Sequence, residues 1–132
     1  MVSLILVTHK GIGQLLLGTA TDLIGGVCPL ETVVISVDHS QDLDTQYKAA
    51  KLVLQQRNPK GGALILTDMY GSSPSNLACK LAELYDSVLI AGLNLPMLIR
   101  VLNYPDLPLQ HLAHKAITGG TDGILLPHPD FG

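Results

Sequence analysis

The sequence predicts an α/β fold: a three-layer open sheet of four parallel strands in the order 2-1-3-4, with helices on both faces. Three observations predict it. Short runs rich in Val, Ile and Leu alternate with longer segments of helical periodicity, as repeated βα units require. The apolar content is aliphatic: 47% of the residues are hydrophobic, but the aromatics amount to four Tyr and one Phe, which suits a parallel sheet covered by helices on both sides. A chain of 132 residues holds one such core and is too short for two.

Taken in order, the strands are expected at residues 4–8, 32–37, 63–67 and 87–91, and the helices at 12–24, 43–56, 74–85, 96–102 and 108–117. The first strand is the apolar run that begins the chain; no basic segment or cleavage site accompanies it, so it reads as a buried strand and not as a leader. Gly25-Gly26 closes the first helix. The third helix has Ser73 as N-cap and Pro74 at its first position, then an apolar stripe of Leu77, Ala78, Leu81 and Leu84. The apolar stretch 88–102 is interrupted by Asn94, Pro96 and Arg100 and falls short of a membrane span. Gly119-Gly120 and Gly123 are read as the end of the last helix, and Ile124-Leu125-Leu126 as a short fifth strand before Pro127. Residues 1–127 then form one domain, and 128–132 a frayed C-terminal tail.

Charge and cysteine usage exclude several classes. The net charge is −3 and the eight Lys and Arg are scattered singly, so no basic stripe exists to neutralise a nucleic-acid backbone. Cys28 and Cys79 stand far apart with no second Cys at metal or redox spacing, which fits reduced thiols in a soluble, cytoplasmic protein. No cofactor or metal is called for, and a membrane enters only indirectly, through partners.

In an open α/β sheet the site lies beyond the carboxyl ends of the strands, where strand order reverses. With the order 2-1-3-4, the loops leaving the first and third strands are neighbours: Thr8-His9-Lys10-Gly11 and Asp68-Met69-Tyr70-Gly71-Ser72-Ser73-Pro74. His9 and Asp68 are thereby expected to face each other. A carboxylate that accepts one ring N–H fixes the tautomer of a histidine, leaves the other nitrogen with its lone pair, and stabilises positive charge on the ring. Those are the requirements of phosphoryl capture. Gly71 allows the backbone close to the group, and Ser72, Ser73 and the free N–H groups at the start of the third helix offer it donors. Thr8 and Asn94 are supporting candidates. No acidic cluster for Mg²⁺ accompanies them, which suits a donor already activated as a phosphohistidine.

At these residues the sequence resembles the mannose-family EIIA domain of the bacterial phosphoenolpyruvate-dependent phosphotransferase system (PTS). Three segments carry the likeness: Thr8-His9; Asp68-Met69-Tyr70-Gly71-Ser72-Ser73-Pro74-Ser75-Asn76; and Ala91-Gly92-Leu93-Asn94-Leu95-Pro96-Met97-Leu98. The resemblance implies a phosphotransferase component in which His9 takes phosphate from HPr and passes it to an EIIB-type or related acceptor, in sugar transport or PTS-linked regulation, with Asp68 orienting the imidazole. It also implies a homodimer in which the C-terminal strand, here Ile124-Leu125-Leu126, adds to the partner's sheet. Two positions depart from the family pattern. Lys10 stands where Gly is usual after the histidine, and Ser72 where a second Gly is common.

The remaining candidates read more plainly. His39 follows the second strand, which borders the first, and so could reach the rim of the same cleft, but it is expected to be a solvated loop residue; His111 and His114, three apart on one helix, are expected to be surface residues without a third ligand. Lys10 is expected to point to solvent. A receiver-like domain would use Asp68 as acceptor but would need acidic residues after the first strand, where Thr8 and His9 stand. A histidine phosphatase would need Arg before the histidine, and Thr8 is there. The alternative left open is a non-enzymatic binding module whose partners are switched by phosphorylation of His9. The acceptor, whether an EIIB subunit, a dihydroxyacetone-kinase system or a regulatory target, and any sugar are not legible in the chain.

Overall fold

The computed structural model describes residues 1–128; residues 129–132, most of the expected tail, lie outside it. Nine elements follow one another: β1 (Ser3–His9), α1 (Ile12–Leu23), β2 (Thr32–Val37), α2 (Leu43–Arg57), β3 (Ala63–Thr67), α3 (Ser73–Ala82), β4 (Ser87–Ala91), α4 (Leu95–Leu102) and α5 (Leu109–Asp122). The strands form one parallel sheet in the expected order, β2-β1-β3-β4.

The central place of β1 follows from its sequence. Leu4, Ile5, Leu6 and Val7 are each 1% exposed or less, a continuous apolar run that a strand covered on both faces requires. Side chains alternate across the sheet. On one side Leu4, Leu6, Leu64 and Leu66 pack with Ala20 of α1, Leu98 and Val101 of α4, and Leu112 and Ala116 of α5. On the other, Ile5, Val7, Ala63 and Ile65 pack with Ala50 and Leu54 of α2 and with Leu77, Ala78 and Leu81 of α3. Each fully buried aliphatic side chain contributes roughly 1.5–3 kcal/mol. Because every crossover returns a parallel strand, all four strands end at one rim of the sheet, and the loops that follow them meet there.

The structure corrects the sequence reading in three places. Ser72, not Ser73, caps α3: its hydroxyl oxygen accepts from the Ser75 N–H at 3.4 Å, and Ser73 opens the helix ahead of Pro74. Proline is tolerated there because the first turn's N–H groups have no helical partner to lose. That helix also stops at Ala82, whose carbonyl accepts from the Ser87 hydroxyl at 2.7 Å. The larger departure is at the C-terminus. Gly119 and Gly120 lie inside α5, which continues to Asp122. They are contact residues: a Cβ on Gly120 would lie 2.8 Å from the end of Met97, and one on Gly119 would collide with the Cβ of Arg100. Close approach of α4 and α5 selects glycine despite its helix penalty of about 1 kcal/mol. Residues 124–126 form no strand in the single chain; Ile124 and Leu125 are each 77% exposed beyond the end of α5.

Candidate functional site

The register of the sheet assembles the site. His9 lies opposite Val37 of β2, and Val7 opposite Thr67 of β3, so the first residues past both neighbouring strands flank His9. Asp68 is the first residue after β3. Its Oδ2 accepts the backbone N–H of His9 at 3.0 Å and lies 2.8 Å from His9 Nδ1. One carboxylate oxygen therefore holds the main chain and the ring together. With the proton of the neutral ring on Nδ1, donated to Asp68, Nε2 keeps the lone pair. The His9 side chain is 28% exposed and that of Asp68 11%: the carboxylate is sheltered and the ring is within reach of a partner.

The turns around the pair are fixed by their own residues. Buried Thr8 donates its hydroxyl to the His9 carbonyl and accepts the Gly13 N–H, both at 2.9 Å, tying β1 to the start of α1. Gly11, the N-cap of α1, has φ +85° and no side-chain cap, a conformation that non-glycine residues adopt with strain. After β3, Gly71 turns the chain at φ +81°, and the Ser72 hydroxyl donates to the Met69 carbonyl at 2.6 Å. Thus the Ser72 side chain braces the turn as well as capping α3, and half-buried Ser73 stands at the first helical position. The N-termini of α1 and α3, each the positive end of a helix dipole, both follow directly on the His9 and Asp68 loops.

The other candidates fall into two groups. Asn94 caps α4 through its Oδ1, 2.9 Å from the Met97 nitrogen, and its Nδ2 donates to the Gly120 carbonyl at 3.1 Å; its amide ties α4 to α5. Lys10 is 78% exposed, with Nζ 4.0 Å from Asp38 Oδ2. His111 and His114 are exposed on α5, and no three His, Cys, Asp or Glu side chains come together as a metal site among the described residues. His39 lies in solvent, as expected, and it also reaches the rim. Its ring stacks obliquely on His9, with centroids 5.4 Å apart and planes at 44°. The signal was in the strand order: β2 borders β1, so Asp38 and His39 emerge beside His9 just as Asp68 does on the other flank.

The comparisons with known proteins bear on family and fold. The family model EIIA-man, described as PTS system fructose IIA component, matches residues 3–109. The mannose/sorbose-specific IIA subunit of the phosphotransferase system from Enterococcus faecalis aligns with a TM-score of 0.83 at 23% identity, covering 96% of this chain and 95% of that one. The phosphotransferase system component EIIA from Streptococcus agalactiae aligns with a TM-score of 0.77 at 26% identity, covering 95% of this chain and 96% of that one. The PTS IIA protein associated with the fucose utilization operon of Streptococcus pneumoniae shares the fold over the full length of both chains, at 18% identity and a TM-score of 0.77. None of the curated proteins matches the sequence.

Proposed function

The chain belongs to the EIIA-man family of PTS IIA components, and on that premise we propose that it is a cytoplasmic phosphoryl carrier that takes phosphate from phospho-HPr on His9 Nε2 and passes it to an EIIB-type acceptor. The observation that carries the proposal is the 2.8 Å contact between His9 Nδ1 and Asp68 Oδ2 on a partly exposed ring.

The step needs no proton to move. The lone pair on Nε2 attacks phosphorus, the P–N bond of the donor phosphohistidine breaks, and its electron pair returns to the donor ring. His9 then carries the phosphoryl group on Nε2 and a proton on Nδ1, a cationic ring that Asp68 neutralises at hydrogen-bond distance. The second transfer reverses these roles. The Ser73 N–H and its neighbours in the first turn of α3, with Gly71 beside them, are the donors proposed for the phosphoryl oxygens. Ser72 would act through the turn it holds, and Thr8 through the backbone of His9.

Protein partners fit this rim better than a small ligand does. Ile12 and Leu15 of α1 are 40% and 74% exposed, and Met69 and Tyr70, next to Asp68, 58% and 83%. Apolar side chains left in water around a reactive group favour docking of another protein surface. Among the described residues no helix is long and apolar enough to cross a membrane. The exposed segment 124–126 is proposed to pair with the sheet of a second copy, and removal of the chain from residue 124 onward should then convert a dimer into a monomer by light scattering.

Incubation with phosphoenolpyruvate, Enzyme I and HPr should add one acid-labile phosphate by mass. The His9→Ala variant should gain none; retention of the label by that variant would move the site elsewhere.

A further inference from the structure

We propose that His39 is a second imidazole of the phosphorylation site, whose cationic form stabilises the phosphoryl group carried on His9 and so shifts the exchange equilibrium with the donor toward this protein. The inference rests on the carrier reading above and deepens it.

His39 is exposed, yet its position is built. The loop that carries it is held by Gln46 of α2, 9% exposed. The Gln46 Oε1 accepts the Asp38 N–H at 2.9 Å, and its Nε2 donates to the carbonyls of Asp38 and Gln41, both at 3.2 Å. Within the loop Asp38 Oδ1 accepts the Ser40 N–H at 2.9 Å. A buried amide that makes three hydrogen bonds to one short loop removes most of that loop's freedom. The result is the 5.4 Å approach of the His39 ring to the His9 ring.

Four charged or titratable groups besides His39 meet at this rim: His9 of β1, Lys10 of the loop after it, Asp38 of the same loop as His39, and Asp68 beyond β3. Hydrogen bonds from Ser40 hold the Asp38 carboxyl below the usual carboxylate range, so it stays anionic and is engaged by Lys10 at 4.0 Å. Before transfer the Lys10 charge is engaged by Asp38 and the Asp68 carboxylate by the His9 ring. A phosphoryl group brings roughly −1.5 to −2 charges there. It draws a proton onto His39 and is itself stabilised by that proton; the two effects are reciprocal by linkage. On an open rim such a charge pair changes an equilibrium constant by about threefold.

The test uses the full chain and measures the equilibrium constant for phosphoryl exchange with phospho-HPr. His39→Gln, which keeps a polar group without the charge, should lower the constant by about threefold, and His39→Lys should restore most of it. By NMR, the pH at which the His39 ring takes up its proton should rise when His9 is phosphorylated, and this rise should shrink in Gln46→Leu, where the loop loses its brace. An unchanged constant in His39→Gln overturns the proposal, as does a loss that His39→Lys leaves uncorrected together with a His39 titration indifferent to phosphorylation. Failure of the unaltered chain to take any phosphate from HPr would instead sink the carrier reading itself.

Discussion

At the amino end of the sheet a cleft of about 550 Å³ opens between Met1, Gly61, Asp86 and the turn that leads into α5, with Asp106 and His111 on its walls. At the carboxyl end, His9 stands on an open rim with its ring 28% exposed. The first region has the volume a small molecule needs, but among the described residues none of Asp86, Asp106 and His111 is ion-paired with another. The second has an imidazole and a carboxylate at 2.8 Å, two helix N-termini and a second imidazole. The difference teaches that hollowness and chemistry need not coincide. A group handed from one protein to another has to stand where a second protein can reach it.

The largest effect that would break this contrast is at Asp68. Asp68→Asn should leave the fold intact and slow phosphoryl transfer to His9 by about a hundredfold or more, because the ring loses the anion that fixes its tautomer and balances its charge. Rapid-quench kinetics with phospho-HPr measures this, and a rate equal to that of the unaltered chain would remove Asp68 from the mechanism. A smaller effect, on stability alone, is expected away from the rim. Gly119→Leu drives a side chain into Arg100 and should cost about 1–3 kcal/mol in urea unfolding, while transfer per folded molecule stays the same. The smallest is in the amino-end cleft: His111→Ala should change stability by less than about 0.5 kcal/mol and transfer not at all. A loss of transfer in that variant would show that the two ends are coupled.

Much of the fold was legible because its signals are local. The unbroken apolar run of β1 and the alternation of short strands with helices determine a parallel sheet, and the strand order then brings His9 to Asp68, 59 residues apart in sequence, with no further information. The misreadings arose where the deciding contact is distant. Gly119 and Gly120 look like helix breakers until α4 lies against them, since their role depends on Arg100 and Met97. The Ile124-Leu125-Leu126 run is a different case: the strand expected there is one exchanged in a dimer, and the sheet of the single chain holds only β1 to β4 among the described residues. The strand order brings His39 within reach of the rim, but what holds it there is Gln46, seven residues on, whose amide is spent on backbone groups that a sequence does not display.

The most direct test of the central claim is to determine which ring nitrogen carries the phosphate. Long-range ¹H–¹⁵N and ³¹P NMR of the phosphorylated chain should show phosphorus bonded to Nε2 of His9 while Nδ1 keeps its proton toward Asp68. Phosphorus on Nδ1, or on any residue other than His9, would contradict the account.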